Sequence, residues 1–189
     1  MTRTTTNSWS DCGTKMNEPV LVVDASAAVA FSARQERSDD VERALEGWRS
    51  GGHQIVVPPH FWLEVINALS GRGRWTGAAV LEALVELERL GMSTVQQDRP
   101  MVLLALDLVE RHGLISYDAA YLALAIQRDA RLLTLDRRLA SAAGPRLLPI
   151  GSHGVSESPP AYERSVTWPN YRGASAFLAK LRADALRGI

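Results

Sequence analysis

Few of the features that mark secreted, zinc-binding or membrane-spanning proteins occur in this sequence. Cys12 is the only cysteine, which excludes an intramolecular disulfide and a zinc site built from several cysteines. No apolar run approaches the roughly 20 residues that a membrane-spanning helix needs. The first 17 residues are polar and rich in threonine and serine, so they lack the apolar segment of a secretory signal. We therefore expect a cytoplasmic protein with no membrane contact.

The chain also lacks an excess of either charge, because it has 21 basic and 21 acidic residues. This balance argues against a small module that holds nucleic acid by net positive charge, although it allows an enzyme that meets nucleic acid briefly. Lys15 and Lys180 are the only lysines, so nearly all the positive charge is arginine. Arginine suits bidentate contacts with phosphate, but a coding bias of the genome would give the same composition.

What the sequence does contain is enough apolar material for a globular core, since 46% of its 189 residues are hydrophobic. Composition divides the chain into three regions. Residues 1–18 are predicted to be a flexible leader, and residues 19–151 carry all the strong patterning. Residues 152–189 are predicted to be an irregular tail with a short C-terminal helix.

The patterned region alternates short apolar runs with longer helical patterns. Strands are predicted at residues 19–23, 54–57, 93–97, 131–135 and, as a short last strand, 146–148. The helical patterns between them are typical of parallel strands joined by crossover helices. The sequence therefore predicts an α/β fold, a three-layer α/β/α sandwich with a central parallel sheet of four to five strands.

Four acidic residues fall at one edge of this predicted sheet. Function gathers outside the carboxyl ends of parallel strands, where Asp24 follows the first strand and Asp136 follows the fourth. Glu64 lies in the helix after the second strand, and Asp118 opens the helix that leads into the fourth. Clustered acids repel one another unless a cation lies between them, and hard oxygen ligands select Mg²⁺ or Mn²⁺. The histidines form no matching zinc set, and His60, the only one near this edge, fits a structural role.

Each acid also has a structural interpretation. Asp24 and Asp136 fit as helix N-caps, and Asp118 fits as a first-turn carboxylate favoured by the helix dipole. Glu64 fits as an exposed helix residue. The shared position of the four acids, rather than any one of them, favours a metal site.

Four sequence segments resemble those of the PIN-domain nucleases, especially the VapC-type toxins of type II toxin–antitoxin pairs. They are VVDASA at residues 22–27, PxxxxxEVxNAL at residues 58–69, SYDAAYLALA at residues 116–125 and LTLDxxL at residues 133–139. They occur in the family's order within residues 19–150. The resemblance implies a PIN-like fold and a cytoplasmic endoribonuclease that hydrolyses RNA phosphodiesters with Mg²⁺ or Mn²⁺.

The resemblance also assigns roles to individual residues. The acids that it implies as catalytic and metal-binding are Asp24, Glu64, Asp118 and Asp136. Asp24 and Asp118 would be the most direct metal ligands. Bound divalent ions fit the reaction because they lower the pKa of a bound water and neutralise charge on the phosphate.

Three polar residues match positions that support the acids in the family. Ser26 and Thr134 match small hydroxyl positions that line the pocket, and Asn67 matches a polar position beside the glutamate. An ordinary surface amide explains Asn67 equally well. Substrate contact is expected from arginines near the acidic edge, which are Arg72, Arg74, Arg137 and Arg138, although solvated surface charge would explain each of them too.

The resemblance further implies a homodimer and a cognate antitoxin protein that blocks the acidic groove. The leader and the tail depart from compact VapC-type toxins, which keeps open a PIN nuclease that is not a toxin. A degenerate PIN domain that serves as a binding scaffold is a second interpretation, against which the retention of all four acids argues. A third is a phosphatase that uses Asp24 as nucleophile, although Ser26 replaces the second acid that such sites usually have.

Overall fold

The computed structural model describes residues 19–151, without the side chain of Arg72. The predicted leader and tail, residues 1–18 and 152–189, lie outside the described residues. Four parallel strands form one sheet in the order β3-β2-β1-β4. The strands are β1 (Val20–Val23), β2 (Gln54–Val57), β3 (Met92–Thr94) and β4 (Arg131–Leu133).

The two central strands are apolar because helices cover both faces of the sheet. Leu21, Val22 and Val23 of β1 are buried, and so are the last three residues of β2. A parallel sheet covered on both sides is built from such continuous apolar runs rather than from alternating ones. Burial of these runs fixes β1 at the centre of the molecule.

Seven α-helices in the described part of the chain connect and cover the strands. They are α1 (Ala25–Ser32), α2 (Ser38–Ser50), α3 (Phe61–Asn67), α4 (Gly77–Arg89), α5 (Arg99–His112), α6 (Ser116–Gln127) and α7 (Arg137–Ala143). The chain moves outward from β1 to β3 and then returns to β4, so right-handed crossovers place α1–α4 on one face and α5 and α6 on the other. The contacts between helices agree with this placement, because α1 contacts α2, α3 and α4, whereas α5 contacts α6. The predicted three-layer α/β/α sandwich is confirmed.

Gly113 lets α5 and α6 run back on each other. Its φ of 64° lies in the left-handed region that favours glycine, and its N–H bonds to the carbonyl of Val109 to end α5. The turn allows α6 to begin three residues later at Ser116. It thereby sets the position of the first turn of α6, which carries Asp118.

The predicted last strand at residues 146–148 is wrong as a regular strand. Arg146 belongs instead to a 3₁₀ turn (Gly144–Arg146), and the sheet gains a single parallel bridge between Leu147 and Leu132. The amide of Leu148 donates to the carbonyl of Leu132 at 2.8 Å. Pro149 follows without an N–H, so the pairing stops after this one bond.

Three other boundaries differ from the sequence prediction. β4 ends at Leu133 rather than at residue 135, and β3 covers Met92–Thr94 rather than residues 93–97. The helix predicted after the second strand divides into α3 and a π-helical turn (Ala68–Arg72). Within residues 19–151, no helix is both long and apolar enough to cross a membrane.

Candidate active site

The register of β1 and β4 brings the first acid next to a threonine. Val23 pairs with Leu133 at the carboxyl ends of these strands. The amide of Asp24 then donates to the carbonyl of Leu133 at 2.9 Å, so residues 24 and 134 leave the sheet side by side. The Thr134 hydroxyl donates to Asp24 Oδ2 at 2.8 Å, and both residues are only 5% exposed.

Ser26 completes the surroundings of Asp24. Its hydroxyl donates to Asp24 Oδ2, and its amide approaches the same oxygen at 3.3 Å. The amide of Leu135 donates to Ser26 Oγ at 3.0 Å, which ties the serine to the segment after β4. Ser26 and Thr134 therefore fix the orientation of the Asp24 carboxylate, at the positions that the resemblance assigned to them.

Asp24 is an acid that the protein makes difficult to ionise. Burial raises the pKa of its carboxyl, and hydrogen bonds from Ser26 and Thr134 lower that pKa without cancelling the effect of burial. Asp24 also serves as the N-cap of α1 through the Ser26 amide. The N-cap interpretation of this residue is thus confirmed, and its role as a metal ligand stays a prediction.

Glu64 reaches the same region from α3. Its Oε2 accepts a hydrogen bond from the hydroxyl of Tyr121, which lies on α6. His60 Nε2 stands 3.9 Å from this oxygen, beyond hydrogen-bond distance. Burial raises the pKa of Glu64, the Tyr121 hydrogen bond lowers it, and the charges of Asp24 and Asp118 raise it further.

Asp118 lies in the first turn of α6, and its side chain makes no hydrogen bond within the described part of the chain. Burial raises its pKa from 3.8 to about 6, with further increases from the charges of Asp24 and Asp136. The guanidinium of Arg138 opposes this shift. Asp24 and Asp136 affect the pKa of Asp118, and Asp118 in turn affects that of Glu64, so the other three acids all lie within electrostatic reach of Asp118.

Asp136 is held by the helix that it begins. Its Oδ1 accepts hydrogen bonds from the amides of Arg138 and Leu139, both at 2.8 Å, which makes it the N-cap of α7. Its own amide donates to Thr134 Oγ1 at 3.0 Å. Thr134 therefore contacts both strand-end acids, since its hydroxyl donates to one and accepts from the other.

The four carboxylates have the chemistry of ligands for a hard divalent cation, but they are not arranged as a preformed metal site. Within residues 19–151, no group of three or more histidine, cysteine or acidic side chains is already placed to hold an ion. One oxygen of Asp24, of Glu64 and of Asp136 is instead turned to a protein donor. Like charges that raise one another's pKa favour a neutralising cation, and the carboxylates would rotate to meet it.

The predicted substrate arginines are placed unequally. Arg138 is exposed at the start of α7, and its charge reaches Asp118. Arg137 lies beside it, also exposed. Arg74 is exposed beyond the π-helical turn with a φ of 52°, and no contact joins it to the acids among the described residues. The side chain of Arg72 lies outside what the structure describes.

Asn67 does not join the acids in this structure. It ends α3 three residues after Glu64 and is exposed, with no hydrogen bond from its side chain within residues 19–151. Its place agrees with the simpler interpretation as a surface amide.

Tyr121 is the site residue that sequence reasoning missed. It is fully buried, yet its hydroxyl meets Glu64 across two helices. One signal was present, because Tyr121 follows Asp118 by three residues and such residues share a helix face. His60, which we expected to be structural, packs its ring against Tyr121 at 5.0 Å and against Tyr117 at 5.3 Å.

Comparison with known families decides the classification. The model of the PIN domain matches residues 21–145, which include all four acids. The chain belongs to the PIN-domain family. This PIN domain is 37% identical over 124 residues to Ribonuclease VapC3 of Pyrobaculum aerophilum, a match that covers 64% of the chain and 92% of that protein. The resemblance drawn from the four sequence segments is thereby confirmed.

Solved structures share the fold of this PIN domain. VapC20 of Mycobacterium tuberculosis, a sarcin–ricin loop cleaving toxin, has a TM-score of 0.53 at 21% identity and covers 66% of this chain and 95% of its own. A toxin–antitoxin complex from Klebsiella pneumoniae has a TM-score of 0.54 at 16% identity, with 68% and 96% covered. At such identities the two structures bear on the fold alone.

Proposed function

We propose that this PIN domain is a Mg²⁺- or Mn²⁺-dependent endoribonuclease, the toxin of a toxin–antitoxin pair that acts in the cytoplasm. The observation that carries the proposal is that the Thr134 hydroxyl contacts both Asp24 and Asp136 at the carboxyl edge of the sheet. Glu64 and Asp118 lie close enough that neighbouring acids raise their pKa values. Similarity to a ribonuclease of the VapC type supports RNA as the substrate.

The acids divide the work of holding the cation. Asp24, fixed by Ser26 and Thr134, and Asp118, which has no protein donor among the described residues, are the most direct ligands in this proposal. Glu64 and Asp136 would complete the set of residues that hold the cation or its bound water. A bound divalent cation lowers the pKa of its water and neutralises charge on the phosphate.

The remaining residues act on the substrate and on the charge balance. Arg138 opposes the raised pKa of Asp118, and its exposed guanidinium is free to bind a phosphate of the RNA. Arg137 beside it adds a second positive charge at the same helix start. The acids therefore meet the reacting phosphate, and the arginines meet its neighbours.

Two exposed apolar surfaces fit the proposed protein partners. One is a groove of about 670 Å³ between α3, α5 and α6, beside which Leu63, Val102 and Leu106 are exposed. The other lies on α4, where Leu81 and Val85 are exposed. We assign the contacts with a second copy and with the antitoxin to these two surfaces, either of which suits either partner.

The experiment is a cleavage assay on a panel of single-stranded and hairpin RNAs with purified full-length protein. We expect no cleavage in EDTA, recovery of cleavage on addition of Mn²⁺, and at least about a hundredfold loss in Asp24→Asn and Asp118→Asn. Asp39→Asn is the matched control, because Asp39 is an exposed acid at the start of α2, and it should cleave like the wild type.

The same assay distinguishes the competing functions. Cleavage in EDTA that both aspartate variants retain would refute the metal site. Binding of RNA without cleavage in Mn²⁺ would indicate a scaffold, and hydrolysis of phosphomonoesters alone would indicate a phosphatase. Growth arrest on expression of the wild type that Asp24→Asn relieves would support the toxin assignment. Unchanged growth on expression of the wild type as well as of Asp24→Asn would oppose it.

A further inference from the structure

Glu64 differs from the other three acids in the element that carries it. Asp24 is held by two hydroxyls that donate to one of its oxygens, and Asp136 is held by two amides of its own helix. Asp118 sits on the twelve-residue helix α6, which packs along β1 and β4. Glu64, in contrast, lies in the seven-residue helix α3, which gives way to a π-helical turn after Asn67.

A single side chain donates a hydrogen bond to the Glu64 carboxylate within residues 19–151, and it is Tyr121. His60 Nε2 approaches the same oxygen, but at 3.9 Å it is too distant, and it has no other partner in the described part of the chain. Tyr121 is 0% exposed, so its hydroxyl cannot exchange this bond for water. The orientation of Glu64 therefore depends on one phenol.

The phenol is also well placed to connect separate acids. Tyr121 lies one turn after Asp118 on the same face of α6, so one rigid helix carries an acid and the donor that holds another. A phenol is uncharged at neutral pH, because its ordinary pKa is about 10. It can thus orient a carboxylate without adding a charge that competes with a cation.

We propose that Tyr121 is a positioning residue for the metal site, whose hydroxyl holds the Glu64 carboxylate in register with Asp118. This inference rests on the proposed metal-dependent function. The hydroxyl acts through Glu64 and not on the RNA or the cation itself. Removal of such a partner of a metal ligand typically weakens metal affinity or activity by about 10- to 100-fold.

The test measures Mn²⁺ affinity by electron paramagnetic resonance on full-length wild type, Tyr121→Phe, Glu64→Gln and the double variant. We expect Tyr121→Phe to bind Mn²⁺ about 10- to 100-fold more weakly. We expect no further loss when Tyr121→Phe is added to Glu64→Gln, because the hydroxyl then has no carboxylate to position. In RNA cleavage, kcat of Tyr121→Phe should fall at a fixed Mn²⁺ concentration while KM for RNA stays constant, and excess Mn²⁺ should restore kcat.

Two controls separate positioning from general stability. Leu124→Val removes a methylene from a fully buried position on the same helix, so it lowers stability but should leave Mn²⁺ affinity unchanged. Tyr117→Phe removes the hydroxyl of an exposed tyrosine near the same rings and should also bind Mn²⁺ normally. Equal losses in Leu124→Val and Tyr121→Phe would overturn the proposal.

The remaining outcomes are equally decisive. Wild-type affinity for Mn²⁺ in a folded Tyr121→Phe would refute the role of Tyr121 and leave the proposed function standing. Wild-type protein that binds no Mn²⁺ would overturn both. If Tyr121→Phe does not fold, ¹⁹F resonance of 3-fluorotyrosine at position 121 takes its place. Saturating Mg²⁺ should shift that signal, and an unchanged signal would contradict the proposal.

Discussion

Because the site acids lie close together, replacing one of them with a neutral residue should stabilise the protein in the absence of metal. Asp118→Asn keeps the shape of the side chain and deletes its charge. In the native state the pKa of Asp118 is raised to about 6 from 3.8, first by burial and then by the charges of Asp24 and Asp136. The native protein therefore binds this proton more tightly than the unfolded chain does. It follows that the wild-type free energy of unfolding falls as the pH rises from about 4 to about 6.

The size of the effect follows from the shift in pKa. A native pKa near 6 in place of 3.8 corresponds to about 3 kcal/mol, at about 1.4 kcal/mol for each tenfold change in proton affinity. Asp118 is only half-buried, so screening by solvent reduces the expected gain to about 1–2 kcal/mol. Asp118→Asn should show this gain at pH 8 and almost none near pH 3, below the unfolded pKa of 3.8, where the wild-type carboxyl is protonated in both states.

The assay is urea unfolding of wild type, Asp118→Asn and Asp39→Asn at both pH values in EDTA. Asp39 is exposed at the start of α2, so its variant should lack the gain that depends on pH. Saturating Mg²⁺ should favour the wild type instead, because a cation that binds the native state stabilises it. A loss of stability in Asp118→Asn at pH 8, or the same change at both pH values, would refute the reasoning.

Two further predictions concern the residues beside the acids. Thr134→Val should lower the free energy of unfolding by about 1–3 kcal/mol, because it leaves the Asp136 amide without its partner and removes one donor to Asp24 Oδ2. Thr134→Ser keeps the hydroxyl, so its free energy of unfolding should fall by less than that of Thr134→Val. Equal decreases for the two variants in urea unfolding would contradict this role of the hydroxyl. Arg138→Gln should weaken RNA binding and reduce its dependence on salt, because it removes a cation from the phosphate contacts. Titrations of RNA at two salt concentrations measure this, and an unchanged salt dependence would show that Arg138 does not bind phosphate.

The sequence contained the positions of the strand-end acids because two local rules agree there. The apolar run of β1 stops at Val23, and the run that contains β4 stops before Asp136, so both acids had to follow parallel strands at the carboxyl edge. Adjacency of β1 and β4 then made Thr134 a neighbour of Asp24. The helical patterns between the predicted strands also correspond to the seven α-helices of the described region, although α6 is buried on all sides over residues 119–125 rather than along one face.

Features that depend on tertiary contacts could not be predicted in this way. The hydrogen bond from Tyr121 to Glu64 joins residues 57 positions apart, and nothing local distinguishes a buried tyrosine with a partner from one without. The last strand failed for a similar reason. Leu147 and Leu148 look like strand residues, but the 3₁₀ turn before them and Pro149 after them leave room for one bridge.

The central claim is that the four acids gather around a divalent cation, and anomalous diffraction from crystals grown with Mn²⁺ tests it most directly. The account predicts an anomalous peak within roughly 2.5 Å of a carboxylate oxygen of both Asp24 and Asp118, with Glu64 and Asp136 turned toward it. The carboxylates would then have rotated away from some of the protein donors that hold them without metal. Crystals with saturating Mn²⁺ and no peak at this edge, or with Mn²⁺ bound by other residues, would contradict the account.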